Sequence, residues 1–323
     1  MKVLISTLPF GEYNSAPLDL LKKHGLEVIA SNRAEKFSRE ELKSHLYDID
    51  FLIAGTELLD NELLKHAPKL KAIARVGIGL DNVDFNYTNQ NSITVTYTPD
   101  APSLSVAELT VGLMLDLART ITFVDTKIKK GKWHRYTGVL LQEKTLGIVG
   151  LGRIGKLLVK LIKPFGMKIL VHDIEPDYTF AKAEEIELVS KETIVKQSDF
   201  LSLHIPLYSK TINYIDQNEF SLMKKDSFLI NTSRGGIINE SALVNALFSR
   251  KIAGVALDVF SEEPYNKRCD SPLLQFDNVV FTAHMGSCTK EGRYQMEFEA
   301  AKSIIDLITG NNSPNIVTAS TYQ

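Results

Sequence analysis

The sequence predicts an α/β protein built from two doubly wound parallel sheets, and two observations support this prediction. Short apolar runs of strand length alternate with helical stretches along almost the whole chain, a pattern typical of parallel α/β architecture. The chain has 323 residues, which is about twice the length of a common domain. We therefore expect two domains, each with its own parallel sheet.

The first series of elements precedes Thr98. Its predicted strands are residues 3–6, 27–30, 51–54, 72–75 and 93–96, and helical segments at 17–24, 39–46 and 61–66 lie between them. Pro99 and Pro102 then interrupt the pattern, because proline disfavours a helical conformation in the residue before it. We expect the chain to cross into the second domain at this point.

The second series begins with a helix and continues with strands. Ser105 and Glu108 have the spacing of a capping box, which predicts a helix over residues 106–119. Predicted strands follow at residues 146–149, 169–172, 200–204, 228–231, 254–258 and 279–283, and a final helix at 290–308. The two series have the same architecture without a repeated sequence.

Composition excludes several classes of function. The formal net charge is -2 and no basic stripe is present, so nucleic acid is not an expected partner. No apolar run has the roughly 18 residues needed to cross a bilayer, which excludes a membrane partner. Cys269 and Cys288 have neither a CxxC spacing nor clustered histidines, so we expect no metal site and a reducing, cytoplasmic location.

A glycine-rich loop predicts a dinucleotide site. Gly150-Leu151-Gly152-Arg153-Ile154-Gly155 directly follows a predicted strand and opens a predicted helix, the setting in which this spacing binds a pyrophosphate at the helix N-terminus. Asp173 ends the next strand, where a carboxylate binds ribose hydroxyls and disfavours a 2′-phosphate, so NAD is the expected cofactor. The alternative is an ordinary α/β turn with incidental glycines and a helix-capping Asp173.

Three further polar motifs follow predicted strands of the second domain. They are residues 231–236, 258–264 and 282–286. In open α/β sheets, sites form outside the carboxyl ends of the strands, so we expect these motifs to contribute to one site.

These motifs resemble those of a known family, the D-isomer-specific 2-hydroxy acid dehydrogenases. Among them the chain is most similar to the catalytic part of the phosphoglycerate dehydrogenases. The resemblance covers nearly the whole chain, and its motifs occur in the family's order: RVGIGLDNVD (75–84), SVAE (105–108), GKW (131–133), GLGRIG (150–155), NTSRGG (231–236), DVFSEEP (258–264) and HMG (284–286). It implies an NAD-dependent enzyme that transfers a hydride between the nicotinamide and C2 of a small D-2-hydroxy acid.

The resemblance implies that Arg234, Glu263 and His284 are catalytic, and the chemistry agrees. Removing a hydride from an alcohol requires a base on its hydroxyl, and imidazole titrates near neutrality. Glu263 would orient the ring, and Arg234 offers a planar pair of donors to the substrate carboxylate and the C2 oxygen. Taken singly, each residue could instead have a structural role.

The same carry-over assigns the remaining cofactor contacts. Asp258 resembles the carboxylate that accepts from the nicotinamide amide, with a turn or N-cap aspartate as the alternative. Thr232 and Ser233 belong to the adjacent cofactor-binding motif. His204 and Pro206 would line the adenosine side of the site, although an extended turn before proline explains them equally well.

The resemblance also divides the chain. We expect residues 1–98 and 287–323 to form a flavodoxin-like substrate-binding domain, and residues 99–286 to form an inserted Rossmann domain, with an interdomain cleft. The backbone N–H groups of Val76 and Gly77 would hold the substrate carboxylate, and Arg75 is a further candidate. The helix at 104–117 and the following loop pair two subunits in the family, which implies a homodimer.

Substrate and function class keep alternatives at this stage. Ala54 occupies the position where phosphoglycerate dehydrogenases carry a phosphate-binding arginine, so hydroxypyruvate, glyoxylate or a sugar-derived acid are alternatives to 3-phosphoglycerate. A non-enzymatic NAD sensor resembling the corepressors of this fold is the alternative from another class. A metal-dependent hydrolase lacks any clustered ligand spacing.

Overall fold

The computed structural model describes residues 1–31, 35–263, 265 and 271–318, and they divide into two compact units. The first unit contains residues 1–102 and 287–323, and the second contains residues 103–286. Pro264 and Cys269, which enter the sequence analysis, lie outside the described residues.

The first unit is a five-stranded parallel sheet in the order β2-β1-β3-β4-β5. Its strands are β1 (Lys2–Ile5), β2 (Glu27–Ala30), β3 (Phe51–Ala54), β4 (Ala72–Arg75) and β5 (Thr94–Thr96), with helices α1 (Ala16–Lys23), α2 (Arg39–Leu46), α3 (Asn61–Leu64), α4 (Phe85–Gln90) and a final helix, Lys290–Thr309. Every residue of β3 and β4 is buried, as expected for a parallel sheet covered on both faces.

The final helix belongs to the core of the first unit, far from its neighbours in sequence. Its buried residues Met296, Ala300 and Ile304 pack in one apolar cluster with Val3 and Ile5 of β1. The sheet face that contains β1 is thus covered by the final helix, which lies near the other end of the sequence.

The second unit is a seven-stranded parallel sheet in the order β12-β11-β10-β9-β6-β7-β8. Its strands are β6 (Thr145–Val149), β7 (Lys168–His172), β8 (Glu187–Leu188), β9 (Phe200–Leu203), β10 (Phe228–Asn231), β11 (Gly254–Leu257) and β12 (Val279–Phe281). Its helices are α5 (Ser103–Arg119), α6 (Ile121–Lys129), α7 (Arg153–Ile162), α8 (Tyr178–Ala183), α9 (Lys191–Gln197), α10 (Gln217–Leu222) and α11 (Glu240–Phe248). The strand order reverses between β6 and β9, as in a Rossmann fold, and the predicted fold class of two doubly wound parallel sheets is confirmed.

The predicted start of the first helix in this unit is wrong. The capping-box pattern placed Ser105 before the helix, but α5 begins at Ser103 and Ser105 is 7% exposed within it. The helix begins directly after Pro102, because the φ angle fixed by a proline ring is compatible with entry into a helix.

Two kinds of feature are absent from the described residues. No helix among them has both the length and the apolar character needed to cross a membrane. No group of three histidine, cysteine or acidic side chains among them is arranged to hold a metal ion.

Candidate active site and cofactor loop

The glycine loop lies between β6 and α7, at the point where the strand order of the second sheet reverses. Gly150 has φ +100°, and a Cβ there would lie 2.4 Å from the carbonyl oxygen of His204. A Cβ at Gly155 would lie 2.1 Å from the carbonyl oxygen of Gly150. Close packing of backbone against backbone therefore requires glycine at both positions.

Gly152 differs from these two glycines. It precedes α7 as its N-cap residue, and a Cβ there would meet no protein atom within 4 Å. The packing of the protein does not demand glycine at this position, whereas close approach of a pyrophosphate to the N–H groups of the first turn, at Arg153 and Ile154, would. The loop therefore fits the phosphates of a dinucleotide.

Asp173 follows β7 beside this loop. One carboxylate oxygen accepts a hydrogen bond from the Leu151 N–H at 2.6 Å, and the other accepts from the Glu175 N–H at 2.8 Å. The side chain thus fixes the glycine loop and stays partly exposed. The second lone pair of each oxygen is suited to a ribose hydroxyl.

His204 forms the wall behind Gly150. Its Nε2 is 2.9 Å from the hydroxyl oxygen of Ser202, while its buried Nδ1 has no hydrogen-bond partner among the described residues. Burial lowers the pKa of His204 to about 4, so the ring is neutral at pH 7. Pro206 lies two residues further on and is exposed.

The loop after β10 positions Arg234. The side chain of Asn231 accepts from the N–H and hydroxyl of Ser233 and donates to the carbonyl of Arg234 at 2.9 Å. The Arg234 guanidinium in turn donates to the Ser233 carbonyl at 2.8 Å. A Cβ at Gly235 would lie 1.9 Å from the carbonyl carbon of Phe260, so this loop packs directly against the one after β11.

Thr232, in the same loop, contacts helix α5. Its hydroxyl lies 3.1 Å from that of Thr110 on α5, and Thr232 is 7% exposed. Ser233 is partly exposed and remains the more accessible of the two hydroxyls.

His284 and Glu263 form a close pair. Nδ1 of His284 lies 2.6 Å from Oε2 of Glu263, and their side chains are 36% and 34% exposed. Burial raises the pKa of the Glu263 carboxyl, but His284, the Phe260 N–H and the charge of Arg234 lower it by more, so its pKa lies below the ordinary value. An ionised carboxylate only accepts hydrogen bonds, so Nδ1 carries the hydrogen and Nε2 is the ring nitrogen that can exchange a proton.

Asp258 holds the turn that carries His284. It is 1% exposed, and its carboxylate accepts from the Thr282 hydroxyl at 2.6 Å and from the N–H groups of Met285 and Gly286, each at 2.9 Å. His284 has φ +50°, a strained conformation for a residue other than glycine. The hydrogen bonds of Asp258 stabilise that conformation.

The loop after β4 in the first unit uses the N–H groups that were expected to bind substrate. The Val76 N–H donates to the Ala54 carbonyl at 2.8 Å, and the Gly77 N–H donates to the Thr98 hydroxyl at 2.8 Å. In this structure neither is available to a substrate. Arg75 is 7% exposed and donates to the Val76 carbonyl, and a Cβ at Gly77 would collide with its guanidinium.

The next two N–H groups, of Ile78 and Gly79, are not engaged in this way. The sequence analysis did not predict them as substrate contacts. The N–H groups of Ile78 and Gly79 have no acceptor among the described residues, and both residues are partly exposed. The alternation of glycines in Gly77-Ile78-Gly79 was the available signal, because it allows consecutive N–H groups to point the same way.

Comparison with known proteins agrees with this geometry. Residues 111–286, more than half of the chain, match the model of the D-isomer specific 2-hydroxyacid dehydrogenase, NAD binding domain. A D-3-phosphoglycerate dehydrogenase of Methanocaldococcus jannaschii is 41% identical over 88% of this chain, which spans about half (54%) of that protein's length. A glyoxylate reductase of Thermococcus litoralis is 40% identical over 86% of each protein.

A solved structure adds a bound cofactor. The D-lactate dehydrogenase of Aquifex aeolicus, complexed with NAD and lactic acid, is similar with a TM-score of 0.84 and 27% identity, covering 98% of this chain and 99% of that one. The predicted family and cofactor are thereby confirmed. The chain belongs to the D-isomer specific 2-hydroxyacid dehydrogenase family, and its residues 111–286 are the NAD-binding domain of that family.

Proposed function

We propose that this chain transfers a hydride between NAD and C2 of a small D-2-hydroxy acid or the matching 2-oxo acid. The observation that carries the proposal is the His284–Glu263 pair, 2.6 Å apart, in the unit that contains the glycine loop. A base paired with a carboxylate, and able to exchange a proton through an accessible nitrogen, is what oxidation of a hydroxyl requires.

His284 is the general base and acid. Bound NAD would accept the hydride from C2 in oxidation, and bound NADH would supply it in reduction. Nε2 of His284 removes the proton of the C2 hydroxyl during oxidation and returns it to the carbonyl oxygen during reduction. Glu263 stays anionic, keeps Nδ1 protonated and stabilises the imidazolium that forms.

Arg234 and the first unit bind the substrate. The guanidinium of Arg234 donates to the carboxylate and to the C2 oxygen, where negative charge develops in reduction. We assign the substrate carboxylate also to the N–H groups of Ile78 and Gly79, because those of Val76 and Gly77 donate within their own unit. Arg75 and Gly77 then shape the loop.

The second unit holds the cofactor. Gly150, Gly152 and Gly155, with the N–H groups of Arg153 and Ile154, form the pyrophosphate site, and Asp173 receives the ribose hydroxyls. The adenosine side is lined by His204 and Pro206, and Thr232 and Ser233 lie towards the nicotinamide. We also propose that Asp258 accepts a hydrogen bond from the nicotinamide amide. This role is additional to its observed hydrogen bonds to the turn that carries His284.

A homodimer is proposed from an exposed apolar surface. Residues 131–140 follow α6 without helix or strand, and the exposed side chains there and on α6 include Trp133 at 83%, Leu140 at 70% and Ile121 at 55%. Ile121 and Trp133 line one surface depression together with Val124 and Ile128, and exposed apolar surface of this kind marks interaction sites. Analytical ultracentrifugation distinguishes a dimer from the 36.1 kDa monomer.

Substitution of His284 tests the enzymatic proposal. His284→Asn is the suitable variant because asparagine tolerates the left-handed backbone conformation at this position. We expect kcat to fall at least about a hundredfold, while NADH still binds as measured by fluorescence titration. His45→Asn on α2 is the matched control and should retain wild-type turnover.

Two results would contradict the assignment. Turnover of His284→Asn close to that of the wild type would exclude it as the base. A wild-type protein that binds NADH but reduces no 2-oxo acid would favour the non-enzymatic NAD sensor.

A further inference from the structure

The loop after β11, which carries Glu263, is held by a second carboxylate, that of Glu240. Oε1 of Glu240 accepts hydrogen bonds from the Ser261 hydroxyl at 2.7 Å and from the Ser261 N–H at 3.3 Å. The preceding N–H, that of Phe260, donates to Oε1 of Glu263 at 3.1 Å. Two successive N–H groups of this loop are therefore each bound by a carboxylate, one from outside the loop and one from within it.

Glu240 belongs to a rigid element. It is the first residue of α11, and the side chain of the N-cap residue Asn239 accepts from the Ala242 N–H at 3.1 Å. The helix buries Leu243 and Leu247 in the apolar core of the second unit. Side chains on packed helices are held in place more precisely than side chains on loops, so Glu240 can fix the loop that it binds.

The peptide between Phe260 and Ser261 is restrained on its face by Gly235. A Cβ at Gly235 would lie 1.9, 2.1 and 2.3 Å from the carbonyl carbon, the oxygen and the nitrogen of this peptide. Such packing limits how far the peptide can move, but the direction of its N–H is set by a hydrogen bond, which depends strongly on angle. Glu240 supplies that hydrogen bond.

The direction of this peptide matters to the active site. Glu263 receives the Phe260 N–H on one oxygen, and its other oxygen lies 2.6 Å from Nδ1 of His284. A peptide that turned away from Glu240 would therefore shift the carboxylate that orients the imidazole. Misplacement of a catalytic group by about 1 Å can cost about a hundredfold in rate.

We propose that Glu240 is a positioning residue for the proton transfer by His284. Glu240 binds Ser261 and thereby fixes the Phe260–Ser261 peptide. Through that peptide it keeps Glu263 paired with His284. Glu240 does this as a hydrogen-bond acceptor, so its negative charge is not required. The inference rests on the proposed function, since it requires that His284 and Glu263 carry out the proton transfer.

Steady-state kinetics with NADH test the proposal, with the acid that the wild type reduces fastest among glyoxylate, hydroxypyruvate and its 3-phosphate. We expect Glu240→Ala to lower kcat at least about tenfold. The Kd for NADH should stay within about threefold, because β9 and β10 separate this loop from the glycine loop. Glu240→Gln should retain kcat within about threefold, because its amide oxygen still accepts both hydrogen bonds of Ser261.

Glu192→Ala is the matched control. It removes an acid from the first turn of another helix of the same unit, α9, where Glu192 is exposed and paired with Lys196. It therefore reproduces the loss of a negative charge near a helix N-terminus without any contact to the loop after β11. Its kcat should stay within about twofold of the wild type.

A double-mutant cycle with Glu263→Gln shows whether Glu240 acts through Glu263. Glutamine keeps an acceptor for Nδ1 of His284, so Glu263→Gln should retain measurable turnover. In that background Glu240→Ala should lower kcat less than about threefold, so that the two effects do not multiply. If Glu240→Ala no longer binds NADH, Ser261→Ala, which removes only the hydroxyl contact, takes its place in the cycle.

The outcomes separate the two levels of the argument. Effects that multiply in the cycle would overturn the role of Glu240, because it would then act independently of Glu263. Wild-type turnover in Glu240→Ala would also overturn it, as would an equal loss of kcat in Glu240→Gln and Glu240→Ala. These results leave the proposed function intact, whereas a wild type that reduces none of the three acids overturns both.

Discussion

Two loops of this protein place glycines directly after a buried parallel strand, and they use them differently. In the second unit, Gly150 and Gly155 are required by backbone packing, while Gly152 has open space around it. In the first unit, Gly77 has φ +140°, a backbone conformation that favours glycine, and it gives its N–H to Thr98. Open space around Gly152 therefore points to a ligand as the reason for glycine there, whereas packing or backbone conformation accounts for the other three glycines without one.

The largest expected effect separates two glycines within one loop. Gly155→Ala places a methyl group 2.1 Å from a backbone oxygen, so we expect it to lower the free energy of unfolding by about 3 kcal/mol. Gly152→Ala should leave that free energy within about 0.5 kcal/mol and raise the Kd for NADH at least about tenfold. Urea unfolding and fluorescence titration of both variants measure the two quantities.

A third alanine substitution serves as the control for this pair. Gly112 is exposed in the middle of α5, and a Cβ there meets no atom within 4 Å. Gly112→Ala should leave NADH affinity unchanged and stability equal or slightly higher. Equal effects of Gly152→Ala and Gly112→Ala on the Kd would remove the pyrophosphate role of Gly152.

His204, which packs against Gly150, should give the free energy of unfolding a pH dependence of intermediate size. The pKa of His204 is lowered to about 4, so between about pH 6.5 and pH 4 the unfolded chain binds a proton that the folded one does not. The free energy of unfolding should therefore fall by about 2 kcal/mol from pH 7 to pH 5 on account of this ring. His204→Gln should lose this part of the dependence, and identical pH profiles in urea would show that the buried ring does not cause it.

The smallest expected effect concerns the first-unit loop. Thr98 is fully buried and accepts from the Gly77 N–H, so Thr98→Val leaves that donor without its partner. We expect a loss of about 1 kcal/mol of stability, with Thr98→Ser close to the wild type because it keeps the hydroxyl. Stability unchanged in Thr98→Val would restore Gly77 as a candidate donor to the substrate.

Some of this fold and site could be predicted from the sequence because local chemistry decides it. The glycine spacing, the apolar strands and the acid after β7 each follow from a requirement within a few residues. That Glu263 and His284 contribute to one site was predicted from their position after strands of the same sheet, and their pairing, across 21 residues of sequence, from the resemblance. Their pairing depends on the close packing of the two loops at Gly235 and Phe260. It also depends on the hydrogen bonds by which Asp258 holds the turn that carries His284.

Other features depend on partners that no short pattern reveals. Whether Val76 or Ile78 offers a free N–H depends on Ala54 in the neighbouring strand, and for Gly77 on Thr98 across the sheet. The start of α5 depended on Pro102 more than on the polar spacing of Ser105 and Glu108. Helix α4 was missed because its polar sequence carries no apolar period, and Asp84 as its N-cap was the signal.

The final helix also bears on how the protein is synthesised. Residues 103–286 are continuous, so their sheet can close while the ribosome is still adding the rest. The apolar face that includes Val3 and Ile5 must instead wait for Met296, Ala300 and Ile304 to emerge. During translation the earliest segment is therefore the last to mature, and a nascent chain stalled before residue 290 would display an uncovered, aggregation-prone sheet that chaperones recognise.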